Sequence, residues 1–109
     1  MAQTYKVLGQ VYPAGSTDTT LYTVPAATQT VSSTINVCNQ ASSSATFRVS
    51  VRPLGATLNN QHYLSYETPI PAYDSIPLTL GITLGATDVV TVRSSNGSIS
   101  FSIFGSEVI

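Results

Sequence analysis

The sequence predicts an all-β fold, a single antiparallel β-sandwich or jelly-roll-like domain of about 7–8 short strands. Three observations carry that expectation. Apolar residues recur at every second position over much of the chain, the period of a half-buried strand. Turn-forming clusters interrupt them at short intervals: Pro13-Ala14-Gly15, Pro25-Ala26-Ala27, Asn39-Gln40-Ala41, Gly55 to Asn60, Pro69 to Asp74, Gly85 to Asp88 and Asn96-Gly97. No window carries the i, i+3, i+4, i+7 stripe of good helix formers that a helix needs.

The strands follow in chain order. Tyr5, Val7 and Gly9 share a parity near the start, and Leu21-Tyr22-Thr23-Val24 forms a short strand ended by Pro25. Between Thr30 and Cys38, Val31, Ile35 and Val37 lie on one parity with Ser33 between them, which places all three on one face. From Thr46, the residues Phe47, Val49 and Val51 point one way and Arg48, Ser50 and Arg52 the other, until Pro53-Leu54-Gly55 stops the run. Leu78, Leu80, Ile82 and Leu84 make a strand bent at Gly81. Val90 and Val92 alternate within Asp88 to Arg93, and Ile99, Phe101 and Ile103 point inward with Ser98, Ser100 and Ser102 outward. Asn-Gly readily takes positive φ, so Ser95-Asn96-Gly97-Ser98 predicts a type I′ hairpin that pairs these last two strands. The similar steps at Pro25 to Thr28, Gly55 to Thr57 and Gly85 to Thr87 read as recurrent turn chemistry rather than a repeat.

At 109 residues and 11.5 kDa the chain is one domain, 1–109, and its 42% of hydrophobic residues suffices for a core. Only 8% of positions are charged, where roughly 25% is usual; 15 serines and 15 threonines fill the gap. A net charge of −1 without a Lys/Arg cluster gives no electrostatic basis for binding nucleic acid or an anionic membrane. No run approaches the ~18 apolar residues of a membrane span. Met1 to Leu8 lacks a basic region followed by an apolar stretch, so no secretory signal is expected. The lone Cys38 excludes a disulfide framework and a multi-cysteine zinc site, and reads as a small buried hydrophobe. A hydroxyl-rich surface without disulfides fits a virion protein, assembled in the host cytoplasm and released by lysis.

No catalytic, cofactor or metal constellation emerges. His62 is the only histidine, and with so many serines some triad partner is always available, so His62 reads as a loop-end or interface residue. Asp18, Glu67, Asp74, Asp88 and Glu107 are scattered singly, without the paired carboxylates of a glycosidase or the clustered oxygens of a calcium loop. The chain is therefore expected to be non-enzymatic. The candidate interface residues are instead Tyr12, Tyr63, Tyr66 and Tyr73, whose rings can anchor a protein contact or stack on sugars, together with His62 and the arginines. Tyr63 and Tyr66 are three apart and cannot both face one side of a regular strand, so one packs inward while the other presents its ring outward or bends into a loop. Arg48 and Arg52 share a face about 13 Å apart, and with Arg93 they can pair with acids of a neighbouring subunit.

The segments Thr4 to Gln10, Leu21 to Thr28, Phe47 to Pro53, His62-Tyr63, Leu80 to Leu84 and Phe104 to Glu107 together resemble, nearly end to end, small virion structural proteins of tailed bacteriophages, notably those of cyanobacteria and other aquatic bacteria. The resemblance implies a particle component. A compact, low-charge domain of that kind suits a capsid cement (decoration) protein, partnered by the major capsid protein or other virion proteins and assembled as a homo-oligomer, trimer or dimer. A tail, baseplate or fibre-attachment accessory is the alternative, and a carbohydrate-binding module using exposed tyrosines is a second.

Overall fold

A computed structural model describes residues 3–109; Met1 and Ala2, the start of the segment read for a leader, lie outside the described residues. The chain forms nine strands: β1 (Gln3–Val11), β2 (Thr19–Thr23), β3 (Gln29–Asn39), β4 (Ala45–Arg52), β5 (Tyr63–Ile70), β6 (Ser75–Leu78), β7 (Ile82–Leu84), β8 (Val89–Ser94) and β9 (Ile99–Val108). They make two antiparallel sheets. In the first the order is β1-β9-β3-β6, with β7 also paired to β3; in the second it is β2-β8-β4-β5.

The pairings nest. β4 pairs with β5, β3 with β6 and β7, β2 with β8 and β1 with β9, as in one long hairpin folded over itself. The contacts β3–β9 and β4–β8 close the roll. This is the jelly-roll order, with one strand broken in two. The break is at Gly81, whose φ of +65° turns the chain between Leu78 and Ile82. The expected bend there is thus a full interruption.

The core lies between the sheets. Ile35, Val37, Ile99, Phe101 and Ile103 of the first face Phe47, Val49, Val90 and Val92 of the second, all buried. Phe47 and Phe101 meet edge to face across the sandwich, centroids 6.2 Å apart. The inward and outward parities read from Ile99 to Ile103 match this burial, as do those from Thr46 to Val49, whereas Ser50 is buried and Val51 only half-buried.

Four local expectations are corrected. β8 and β9 belong to different sheets, so Asn96-Gly97 makes a crossover between sheets and not a hairpin. Gly97 has a φ of +69° while Asn96 is outside the positive region, and a type I′ turn needs both. Asn96 Oδ1 accepts from the N–H of Ser98, and its Nδ2 donates to Asn39 Oδ1. Val31 is exposed while its neighbours Thr30 and Ser32 are buried, because β3 carries an extra residue between Ser32 and Thr34 that reverses its parity. Cys38 is half-exposed, on the parity opposite Val37 and so outside the core. Tyr63 and Tyr66 lie together, their rings in contact on one face of β5.

The extra residue in β3 has a counterpart. β1 shifts register between Val7 and Gly9 against the same place in β9, and the Leu78–Ile82 gap lies opposite it on β3. A line of irregularity therefore crosses the whole first sheet. Only β9 keeps uninterrupted alternation through it.

Candidate functional site

Beyond that line β1, β3 and β9 are inverted. In a sandwich the inner face is apolar and the outer polar, and this holds from Ile99 to Ile103. Past it, the inner positions are Thr30, Ser32, Gly105 and Glu107, with Thr4 and Lys6 on β1, while on β7 Ile82 and Leu84 still point inward against the core. The outer positions are Tyr5, Val7, Val31 and Phe104, of which Tyr5 is 77% and Val31 46% exposed. A shallow depression of about 520 Å³ lies among Tyr5, Val31, Ser33, Phe104 and Ser106.

The polar inner end is internally satisfied. Glu107 accepts from Lys6 Nζ at 2.8 Å and from the Tyr22 hydroxyl, which also contacts Thr30 Oγ1 at 2.8 Å. Tyr22 comes from the second sheet, so this cluster bolts the two layers together through hydrogen bonds where the apolar core ends. The bond from Lys6, then that from Tyr22, holds the Glu107 carboxyl below the usual range. Burial, then the neighbouring carboxylate, pushes Tyr22 up to about 12. A depressed carboxyl stabilises the fold above its unfolded value, about 4.3, and that contribution disappears as pH falls through the lower folded value. Glu107→Gln is therefore expected to cost roughly 1–2 kcal/mol near pH 7, with the gap to the parent closing below about pH 4 in urea titrations. An unchanged gap at pH 3 would assign the loss to shape and not to charge.

The opposite surface, the outer face of the second sheet, holds the paired charges. Arg48 Nη2 donates to Glu67 Oε1 at 3.0 Å, and Thr46 Oγ1 donates to Glu67 Oε2. The Arg48 guanidinium carbon sits 4.4 Å from the Tyr66 ring centroid and 5.9 Å from that of Tyr63, within cation–π range. Arg48 is thus held fully protonated by Glu67, and Glu67 is pulled down chiefly by its bond from Arg48. Arg93 stands directly across from Arg48 on β8 and reaches Asp18 at 3.6 Å.

Two bulges in β5 explain the tyrosines. Phe47 pairs with Thr68 and Val49 with Ser65, so Tyr66 and Glu67 together oppose Arg48, and Glu67 adopts a φ of +50°. A further shift, from Val49–Ser65 to Ser50–Tyr63, leaves Leu64 as an extra residue between the two tyrosines. It turns Tyr63 to the face of Tyr66, and their rings meet at one corner, 4.9 Å apart and nearly perpendicular. With Asn60 they line a cleft of about 480 Å³.

The other candidates are placed elsewhere. Arg52 donates to Thr91 Oγ1 and to the carbonyls of Gly55 and Ala56, which clamps the loop after β4 onto the sheet. His62 is buried in a 3-10 turn, where Nδ1 accepts from the N–H of Asn59 at 3.0 Å. Tyr12 is exposed at the end of β1, and Tyr73 is exposed in the turn between β5 and β6. Asp74 and Asp88 accept backbone N–H bonds in their turns, as their sequence context implies. What residue spacing did not reveal is the Lys6–Glu107–Tyr22–Thr30 cluster, whose members lie up to about a hundred positions apart and share no motif. No cluster able to hold a metal ion occurs among the described residues, and no helix among them is long and apolar enough to cross a membrane. No family model, curated protein or solved structure matches the chain.

Proposed function

We propose that this chain is a non-enzymatic structural subunit of a tailed-bacteriophage particle, acting as a capsid cement protein that packs against its neighbours through the outer face of the first sheet. The observation that carries this reading is the inverted end: Tyr5, Val7, Val31 and Phe104 face outward while Lys6 and Glu107 face inward. Such an arrangement leaves apolar surface uncovered in the isolated domain, and the one charge that borders it, Lys6, is already paired with Glu107 when a neighbouring subunit covers it. The ion pairs Arg48–Glu67 and Arg93–Asp18 lie on the opposite sheet. The resemblance to phage virion proteins supplies the partners, the major capsid protein or other virion proteins alongside further copies of this chain. His62 and the acids are engaged in turns and ion pairs, which supports a structural role.

Particles assembled without the protein are expected to rupture at lower temperature or milder osmotic shock, with stability restored by adding the purified chain. Full stability together with lost adsorption to host cells overturns the cement role in favour of a tail, baseplate or fibre accessory. The Tyr63–Tyr66 corner favours a second reading, carbohydrate binding: two perpendicular rings and the Asn60 amide offer one stacking wall and polar contacts to a sugar. A glycan array answers this reading directly, with binding that Tyr63→Ala abolishes in its favour and a blank array against it.

A further inference from the structure

The two sheets have four edges, and three are closed to another strand. β2 is five residues long and shifts register between Thr20 and Tyr22. β5 carries Pro69 and two register shifts, and on the remaining edge β6 carries Pro77 while β7 has three residues. Short, bulged and proline-bearing edges are the means by which sandwiches avoid pairing with other chains. β1 is the exception. From Gln3 to Val7 it keeps regular register with β9, is exposed at every residue and contains neither proline nor glycine. Its single charge, Lys6, turns inward onto Glu107. The free side of this stretch presents backbone N–H and C=O groups that only another strand satisfies in sequence.

We infer that the β1 edge pairs antiparallel with the β1 edge of a second copy, extending the first sheet across a two-fold axis. The inference builds on the packing role proposed for this face and names its first partner. An identical strand reversed about a two-fold axis is self-complementary. With the axis at Tyr5, the middle of the free stretch, Tyr5 lies beside the partner's Tyr5, Gln3 beside the partner's Val7 and Thr4 beside the partner's Lys6. No like charges are opposed. The pairing also sets the two inverted patches side by side on one continuous sheet, which doubles the apolar platform offered to a capsid surface. A contact limited to a five-residue edge falls below the ~800 Å² per partner of a standard interface, so it is weak in isolation and multiplied on a lattice where each subunit makes several contacts.

Sedimentation of the purified full-length chain is expected to show a monomer–dimer equilibrium below about 100 μM. Tyr5→Lys combined with Val7→Lys, both at exposed positions, is expected to weaken it at least ten-fold while leaving the circular dichroism spectrum unchanged. As an independent measurement, Tyr5→Cys in a Cys38→Ser background is expected to oxidise to a covalent dimer, whereas Tyr73→Cys in the same background stays monomeric. A strictly monomeric parent overturns the inference. So does a dimer that ignores the lysines and fails to cross-link at position 5. Neither result touches the particle-stability experiment, and unstable particles that need the protein still support the packing role when the dimer is absent.

Discussion

Phe101→Ala is expected to lower the unfolding free energy by about 3–5 kcal/mol and the Tm by roughly 10 °C or more. Phe101 is fully buried near the start of β9, the strand that holds both β1 and β3. Its ring meets the edge of Phe47 from the second sheet, so truncation removes transfer energy, opens a cavity and breaks the main aromatic contact between the layers. For a domain whose total stability is of the order of 5–15 kcal/mol, that is a fifth or more of what holds it folded. Phe101→Leu, which keeps most of the volume, is expected to cost less than half as much. Equal losses for both variants in denaturant titrations would mean that the ring geometry, and not its volume, is what β9 contributes.

Gly105→Ala is expected to exceed the ~1–3 kcal/mol of ordinary overpacking, although it adds a single carbon. A Cβ there would stand 2.1 Å from the Val31 carbonyl oxygen and 2.8 Å from Ser32 Cα. Both are backbone atoms of β3, held by the ladder to β9 and by the extra residue beside them, so neither can yield as a side chain would. The contrast is Gly85→Ala, whose nearest contact would be Asp88 Oδ2 at 3.7 Å; it is expected to be neutral within about 1 kcal/mol. Thermal unfolding of the pair measures the difference directly. A mild Gly105→Ala would show that β3 can retreat from β9 at the fold line, and hydrogen exchange at Val31 and Ser32 would then rise with it.

What the sequence discloses follows from the range of the physics involved. Alternation is a local property, so Phe47-Val49 and Ile99-Phe101-Ile103 announce their buried faces without reference to the rest of the chain. Turn chemistry is local too, and Asp74 and Asp88 stand in the turns their neighbours imply. Which sheet a strand joins is not local. Asn96-Gly97 reverses the chain in either case, and only the competition of β4 and β3 for β8 and β9 sends it between layers. Bulges are equally hidden, because an extra residue is defined by the partner strand. Val31 looks like a core residue until β9 is laid beside it, and Tyr63 and Tyr66 look opposed until β4 is laid beside them. The Glu107 cluster joins residues from both ends of the chain and leaves no spacing to detect.

The nested pairing fixes an order of assembly as well as a shape. β4 and β5 are close in sequence and can find each other quickly; each pair outward closes a longer loop at a growing entropic cost. β9, last in chain order, must enter between β1 and β3, which until then have no hydrogen-bonding strand between them. The first sheet is therefore completed late, by a strand inserting into a waiting gap, and refolding is expected in the slow, millisecond-to-second range of topologies dominated by distant contacts. During that interval the free flanks of β1 and β3 are open to a β9 from another molecule. A chain that assembles at high local concentration thus has a kinetic route to strand exchange that its finished structure conceals.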